Sequence, residues 1–279
     1  MPGEYAAQTD GVLITLSSNL QVIKGRSAVN RARSHERIYR GWIEDTDLTK
    51  FDVMVKETDL QIFANTDLSR IAKESVLTHR GYLEAYILQH PEFRKTLNPW
   101  PNGDLAPKII TNMGAAGQKA GVGPMAAVAG AMAECVGEDL LTYSKNVIVE
   151  NGGDIFIQID REMTVGLFAS ASSLSGRLGI KIARDAMPLA VCTSSAKIGH
   201  SLSFGKADAA CILSKSGALA DAVATAVGNT VKSSSDIPVA IELARRIVGV
   251  LGVIIIIEEK IGAWGELELV PVNITAGNE

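Results

Sequence analysis

The chain has 279 residues, of which 47% are hydrophobic and 21% charged, and its formal net charge is −4. This length and composition predict a large apolar core, expected as a single domain over residues 1–279, and exclude a disordered chain. The acidic balance argues against nucleic acid or an anionic membrane surface as a partner.

The cysteines and the apolar segments favour a cytoplasmic protein. Cys135, Cys192 and Cys211 form an odd, sparse set in apolar surroundings, which predicts buried thiols in a reducing compartment. The polar N-terminus has no apolar signal core, and the longest apolar run, Val250–Ile257, is too short to span a bilayer.

Short strands precede the first helices in chain order. The patterns predict strands at Val12–Leu16, Gln21–Ile23 and Phe51–Lys56, a helix over Leu68–His90 and a helix over Ala126–Val136. Between them, Leu97–Pro107 is predicted as a loop. The charge-rich run Arg26–Arg40 is predicted as a solvated surface segment, because acidic residues interrupt it and the whole chain is acidic.

The second half contains more strands than helices. Apolar runs predict strands at Asn146–Val149, Ile155–Ile159, Thr164–Phe168, Leu178–Ile182, Leu189–Cys192 and Ala209–Leu213, followed by helices at Gly217–Val231 and Pro238–Val250. The chain is expected to finish with a strand pair, Gly252–Glu258 and Glu266–Val270. This order predicts an α+β protein with mixed or antiparallel sheets packed on helices, in two layers.

Asp221 is the one ionisable residue between Ala218 and Val231, on a helix otherwise rich in Ala, Val and Gly. Thr225 follows one turn later, so the carboxylate and the hydroxyl share a face. An isolated carboxylate in apolar surroundings is costly unless it is paired, hydrogen-bonded or bound to a metal. Two oxygen ligands suit Mg²⁺, but a threonine can also bond its own helix and an aspartate can interact with the helix dipole.

Three further segments carry polar or glycine-rich patterns. Glu150–Asp154 reads ENGGD, which favours a hairpin turn, although the two glycines also leave room for a flat ligand. Gly121–Gly123 precedes a predicted helix start, where free N–H groups can hold a phosphate or be capped. The hydroxyls of Thr193, Ser194 and Ser195 follow a strand, and His200 is the nearest candidate base.

Three segments in this order resemble the ApbE-like superfamily, whose best-known members are FAD:protein FMN transferases. They are VENGGDI (149–155), AVCTSSA (190–196) and AACILSKSGALADAVATAV (209–227), within a best-matching core of residues 120–231. The whole chain resembles a short cytosolic branch of that superfamily. The resemblance implies a T-fold-related architecture that binds a flavin or other nucleotide with Mg²⁺, and FAD as the flavin.

The resemblance also assigns roles to residues of this chain. It implies Asp221 and Thr225 as Mg²⁺ ligands and Gly152 and Gly153 as the lining of the flavin site. The remaining residues expected at the nucleotide are Gly121, Gly123, Thr193, Ser194, Ser195 and His200. A homo-oligomer is compatible with this assignment.

The chain departs from the transferase pattern in two places. Gly123–Ala126 reads GPMA where the transferases carry a Lys-Gly step and then an Asp, and His200 is not followed by the Asp-Pro of their His segment. The function is therefore left open between an Mg²⁺-dependent flavin transferase or pyrophosphate-cleaving enzyme and an inactive ligand-binding protein of the same fold. A third possibility is a structural or assembly protein that buries the apolar strand Val250–Ile257 in a partner chain.

Overall fold

The computed structural model describes residues 47–101, 106–169, 172–195 and 204–272, together with the backbone of residues 12–14. In chain order its strands are β1 (Val12–Ile14), β2 (Thr49–Val55), β3 (Thr58–Ala64), β4 (Val147–Asn151), β5 (Asp154–Gln158), β6 (Met163–Gly166), β7 (Leu178–Ile182), β8 (Leu189–Ser194), β9 (Ala209–Ser214), β10 (Val250–Ile257), β11 (Lys260–Gly265) and β12 (Glu268–Pro271). Its helices are α1 (Ser69–Gln89), α2 (Pro91–Lys95), α3 (Lys108–Ala120), α4 (Val128–Leu140), α5 (Gly217–Thr230) and α6 (Ile237–Arg246).

A large antiparallel sheet forms the centre of the molecule. Within the described residues it has nine strands in the order β1-β11-β10-β9-β8-β5-β4-β3-β2. It contains two blocks of four strands, β2–β5 and β8–β11, and each block has its helices inserted after its second strand. The blocks meet where β5 pairs with β8, which brings the last helix before β4 close to the first helix after β9.

The helices cover one face of this sheet. Helix α5 packs against α3 and α4 and also against β8 and β9. Its buried positions are almost all Ala, Val and Gly, so the helix can lie in the middle of the layer without large side chains holding its neighbours away. A Ser216 side chain caps it, with the Oγ accepting from the Leu219 N–H at 3.3 Å.

A small sheet, in the order β12-β7-β6, covers the opposite face and encloses a second apolar core. Strand β10 reads as a continuous apolar run because side chains on both of its faces are buried, one set under the helices and the other under the small sheet. The hypothesis that Val250–Ile257 is left for a partner chain is therefore wrong, since this strand lies between β9 and β11.

The predicted α+β class, with antiparallel sheets packed on helices, is confirmed. The predicted pairing of the last two strands is wrong, because β10 turns at Glu258–Glu259 and pairs with β11, while β12 joins β7 in the small sheet. Gly262 is part of β11 and lets α6 approach, since a Cβ there would lie 2.2 Å from the Ile237 side chain.

Several helices differ from the prediction, and α4 for example ends at Leu140 and not at Val136. The helix predicted over Pro238–Val250 ends at Arg246, and β10 already begins at Val250. Helix α3 was not predicted at all, because glycines 114 and 117 interrupt its pattern. Gly117 has a packing role, since a Cβ there would lie 2.7 Å from the Val122 carbonyl oxygen. The predicted strand Gln21–Ile23 and the run Arg26–Arg40 lie outside the described residues.

In the described part of the chain no single helix is long and apolar enough to cross a bilayer. One pair, Lys108–Ala120 with Pro124–Leu140, passes the test only together, across a bend of 106°.

Candidate functional site

The candidate site lies where the first turns of α4 and α5 cross. A Cβ on Gly130 would lie 2.2 Å from the Gly217 carbonyl oxygen, and a Cβ on Gly217 would lie 2.4 Å from the Gly130 carbonyl oxygen. Real Cβ atoms do not approach an oxygen so closely, so only glycine allows this backbone contact. The contact brings the free N–H groups at the start of each helix next to the other helix.

Each helix supplies an acidic side chain that caps the other. Asp221 of α5 accepts hydrogen bonds from the N–H groups of Ala129 and Gly130, at 3.0 and 2.9 Å, both on Oδ2. Glu134 of α4 accepts through Oε2 from the N–H groups of Gly217 and Ala218, at 2.8 and 3.3 Å. Both acids therefore complement the positive end of a helix dipole.

The turn between β4 and β5 lies beside this crossing. Gly152 and Gly153 are its two central residues, with φ of +69° and +102°, as a two-residue hairpin turn requires. Among the described residues, a Cβ at Gly152 would meet no atom within 4 Å, and one at Gly153 would meet only the Thr193 carbonyl oxygen at 3.8 Å. There is open space beside the turn, although the backbone already accounts for both glycines.

Asp154 begins β5 and meets Asp221 underneath the crossing. It is buried, its Oδ1 accepts from the Thr193 N–H at 3.2 Å, and its carboxyl is hydrogen-bonded to that of Asp221. Burial raises the pKa of Asp154 well above its ordinary range, and the charge of Asp221 raises it further. Burial also raises the pKa of Asp221 to about 7, against the lowering effect of its hydrogen bonds to Gly130, Ala129 and Asp154.

Both carboxyl groups therefore hold a proton more readily than an ordinary aspartate does. Neither Asp154 nor Asp221 forms an ion pair with a lysine, arginine or histidine among the described residues. The thiol of Cys192, directly opposite Asp154 on β8, is buried, and its pKa is raised by burial and then by the Asp154 charge. It is therefore protonated, and its Sγ donates a hydrogen bond to the Gly217 carbonyl oxygen at 3.6 Å.

Thr225 is partly buried one turn after Asp221. Within the described residues its hydroxyl forms no hydrogen bond, whereas the Thr230 hydroxyl donates to the carbonyl of Ala226 at 3.0 Å. Three or more His, Cys, Asp or Glu side chains placed to hold a metal ion are not found in this part of the chain. A cation at Asp221 would need other ligands as well.

The structure places the other predicted residues at varying distances from this pair. Thr193 contacts Asp154 through its backbone, and the Ser194 side chain lies against α5, its Oγ 3.4 Å from the position of a Cβ on Gly228. Gly121 ends α3, and Gly123 packs on the backbone of Thr96, whose carbonyl oxygen lies 2.0 Å from where a Cβ would be. His200 lies outside the described residues.

Three residues of the site were not assigned a role from the sequence: Glu134, Asn151 and Asp154. The first two acquire their role only through the fold, as a helix cap and as a link from β4 to α4. A weak signal exists for Glu134, because Gly130 and Glu134 repeat the spacing of Gly217 and Asp221. Asp154 stands in the ENGGD segment, but nothing in its spacing indicates contact with Asp221.

Fold and site together define an α+β protein with an acidic pair at a helix crossing, one carboxyl buried (Asp154) and the other partly buried (Asp221). A family model described as "AbpE bacteria" matches residues 40–248, which is well over half of the chain. The chain belongs to this family.

Relatives by sequence cover most of the chain. A UPF0280 protein of Methanococcus maripaludis strain C5 is 41% identical over 224 residues, which are 77% of this chain and 90% of the relative. A UPF0280 protein of Methanocaldococcus jannaschii is 38% identical over 234 residues, which are 81% of this chain and 95% of the relative.

Two solved structures are similar at lower identity. The flavin transferase ApbE from Vibrio cholerae is 12% identical, with a TM-score of 0.45 over 78% of this chain and 96% of that chain. The flavinyl transferase ApbE from Pseudomonas stutzeri, in its apo form, is 10% identical, with a TM-score of 0.47 over 78% of this chain and 93% of that chain.

Proposed function

We propose that this protein binds a flavin nucleotide, FAD, together with Mg²⁺ at Asp221, and acts on the pyrophosphate of the nucleotide. The observation that carries the proposal is the hydrogen-bonded pair of Asp154 and Asp221, which has no positively charged side chain as a partner among the described residues. Buried carboxylates are ordinarily paired with a cation or bound to a metal. A bound cation would compensate this pair.

The donor chemistry fits Mg²⁺. The ion prefers oxygen ligands and is typically held by one or two carboxylates, with waters and substrate phosphates as the other ligands. Asp221 offers the Oδ1 oxygen that its helix-capping bonds leave unused, and Thr225 offers a hydroxyl without a hydrogen bond in the described part of the chain. We assign these two side chains as the protein ligands.

The β4–β5 turn supplies the proposed flavin side of the site. The open space at Gly152 and Gly153 gives a flat ring system access to the ends of strands β4 and β5. Thr193 and Ser194 follow on the adjacent strand β8, so their polar groups are expected near the ribityl or phosphate part of the nucleotide. The names of the two transferases agree with a flavin ligand but concern those proteins.

In the proposed reaction an acceptor hydroxyl forms a bond to the phosphorus on the FMN side of the pyrophosphate. The bond from that phosphorus to the bridging oxygen breaks, AMP leaves with the electron pair, and the proton of the attacking hydroxyl passes to solvent. Bound Mg²⁺ supplies charge neutralisation at the phosphate oxygens. With a protein hydroxyl as acceptor the products are FMN-protein and AMP, and with water they are FMN and AMP.

The test is to titrate the purified protein with FAD, with and without MgCl₂, and to separate AMP and FMN by chromatography. We expect FAD binding that Mg²⁺ strengthens, and release of AMP. The Asp221→Asn variant keeps an oxygen for the N–H groups of Ala129 and Gly130 but loses the charge, so its Mg²⁺-dependent binding should weaken at least about tenfold.

Glu134→Gln is the matched control for this variant. It removes the same kind of charge from the other cap of the same crossing and leaves the proposed ligands intact. It should bind FAD and Mg²⁺ as the wild type does. If the wild type neither binds FAD in the presence of Mg²⁺ nor releases AMP, the proposed function is wrong.

A second candidate is a flavin-binding protein without turnover. It is favoured by the buried Pro124 and the tight packing of Gly123 on Thr96, in the segment where the resembled transferases carry Lys-Gly. In that case FAD binds with Mg²⁺ and no AMP appears, even after long incubation with a hydroxyl-bearing acceptor peptide. Measurable AMP release would exclude this candidate.

A further inference from the structure

Asn151 links the glycine turn to the start of α4. It is the last residue of β4, is 9% exposed, and lies on the face of the sheet that the helices cover. Its side-chain Nδ2 donates a hydrogen bond of 3.0 Å to the carbonyl oxygen of Ala129. A buried amide with this bond fixes the relative position of the strand end and the first turn of the helix.

The bond falls on one particular peptide group. The Ala129 carbonyl and the Gly130 N–H belong to the same peptide unit, and that N–H donates to Oδ2 of Asp221 at 2.9 Å. A trans peptide is planar, with its C=O and N–H pointing in opposite directions. The unit is therefore held on one side by Asn151 and holds Asp221 on the other.

Two physical effects follow from this arrangement. The rigid plane transmits the orientation set by Asn151 to the N–H that contacts the carboxylate. A hydrogen bond accepted at the carbonyl also polarises the peptide, which makes its N–H a stronger donor. Both effects keep Oδ2 of Asp221 in the cap and leave Oδ1 in a fixed direction.

We propose that Asn151 is a positioning residue for the Asp221 carboxylate. Its consequence for metal binding rests on the proposed function, in which Asp221 holds Mg²⁺. The residue also connects two parts of the site, because Gly152, the first residue of the open turn, follows it directly in the chain. Residues that hydrogen-bond to a metal ligand and orient it typically change metal affinity by about 10–100-fold.

The experiment compares Asn151→Ala and the nearly isosteric Asn151→Leu with Asn146→Ala. Asn146 is an equally buried asparagine just before the other end of β4, where its Oδ1 accepts from the Asp160 N–H at 2.8 Å. All variants lose one buried side-chain bond. Only the Asn151 variants lose the bond to α4.

Two properties are measured on each variant after circular dichroism has shown that the variant is fully folded. The first is the affinity for Mn²⁺, a paramagnetic probe of a magnesium site, by electron paramagnetic resonance. The second is hydrogen exchange of the α4 amides, resolved to Ala129 and Gly130. We expect both Asn151 variants to bind Mn²⁺ about tenfold more weakly and to exchange these two amides at least about tenfold faster. The Asn146 variant should match the wild type in both.

The outcomes separate the two hypotheses. A wild type that binds no Mn²⁺ contradicts the proposed function, and the exchange rates then decide the positioning role alone. If the amides of Ala129 and Gly130 exchange in both Asn151 variants as they do in the Asn146 variant, the positioning role is wrong. If the wild type binds Mn²⁺ and both Asn151 variants bind it equally tightly, the positioning role is wrong as well.

Discussion

The two ends of the α4–α5 crossing use the same local geometry for different purposes. At each end a glycine allows the helices to touch, and an acidic residue four positions later caps the other helix. Glu134 caps α5 and Asp221 caps α4. From the hydrogen bonds of the caps alone, the two ends would be equivalent.

Their surroundings differ in the charges that accompany each acid. Burial raises the pKa of Glu134, and its hydrogen bonds from Ala218 and Gly217 and the nearby Lys108 cation lower it only in part. Lys108 itself pairs with Glu138, one turn further along α4, at 2.5 Å. Asp221 has a second acid, Asp154, as its neighbour. A lysine cation therefore lies near the Glu134 cap, whereas the nearest charged group at the Asp221 cap is a second carboxyl, which is suited to an added cation.

The largest predicted effect comes from separating the two helices. Gly217→Ala would place a Cβ 2.4 Å from the Gly130 carbonyl oxygen. The Cβ is fixed to the backbone of α5 and the oxygen belongs to the backbone of α4, so neither can move aside cheaply. We expect the free energy of unfolding to fall by about 3 kcal/mol or more, measured by urea denaturation with an unchanged m-value. Both caps should weaken together.

Gly81→Ala is the control for this substitution. Gly81 lies within α1, and a Cβ there would meet no atom of the described residues within 4 Å, so alanine should stabilise the protein by about 0.5–1 kcal/mol through its helix propensity. If Gly217→Ala is as well tolerated as Gly81→Ala, the close crossing is not what holds the two caps in place.

The second prediction concerns pH and the Asp221 end. Since the folded-state pKa of Asp221 is raised from 3.8 to about 7, the folded protein holds more protons than the unfolded chain between these values. The free energy of unfolding therefore falls as pH rises through this window and is level above it. At ~1.4 kcal/mol per pKa unit, reduced for the partial exposure of Asp221, we expect a loss of about 2 kcal/mol between pH 5 and pH 8.

Asp154→Asn tests the origin of that loss. The amide can still accept from the Thr193 N–H and can donate to Asp221, while it removes the second charge. The variant should be more stable than the wild type at pH 8 and show a flatter pH profile by denaturation at each pH. An unchanged profile would place the titration elsewhere in the molecule.

The third prediction concerns the Glu134 end. Glu134→Ala leaves the N–H groups of Gly217 and Ala218 without their acceptor, although the Ser216 cap remains. We expect a loss of about 1 kcal/mol in urea denaturation, the usual cost of losing a helix cap. Because Lys108 and Glu138 lie on the protein surface, breaking their ion pair with Lys108→Gln should cost less, about 0.5 kcal/mol. A larger cost for Lys108→Gln than for Glu134→Ala would contradict the assignment of the cap.

Several residues at the crossing can be recognised from local sequence, whereas the distant residues that they contact cannot. Asp221 is recognisable because a charge in an apolar helix must be compensated, and the hairpin turn is recognisable because Asn151-Gly152 is a strong turn signal. The α+β class follows from the order of apolar runs. These inferences use only residues within a few positions of each other.

The remaining features depend on contacts between distant parts of the chain. Glu134 and Gly217 are 83 residues apart, so no local pattern shows that one caps the other. The glycines of α3 and β11 look like breaks in a helix or a turn because their packing partners, Val122 and Ile237, are not part of the local pattern. Predicting them requires the tertiary arrangement that they themselves permit.

The smallest expected effect on stability is at Thr225, and it separates the two ends most sharply. The corresponding position on α4 is Glu138, which forms an ion pair with Lys108, whereas Thr225 forms no hydrogen bond in the described part of the chain. Thr225→Val should therefore change the free energy of unfolding by less than about 0.5 kcal/mol. It should nevertheless reduce the rise in melting temperature that MgCl₂ produces in the wild type, because a bound ion stabilises the folded state more when its affinity is higher.

Thr230→Val is the matched control on the same helix. It removes a hydroxyl that donates to the Ala226 carbonyl and lies further along α5 from Asp221, so the magnesium-dependent rise should be retained. The two variants are compared by thermal denaturation at several MgCl₂ concentrations. If both keep the rise in full, Thr225 is not a ligand and the Asp221 end differs from the Glu134 end by its acid pair alone.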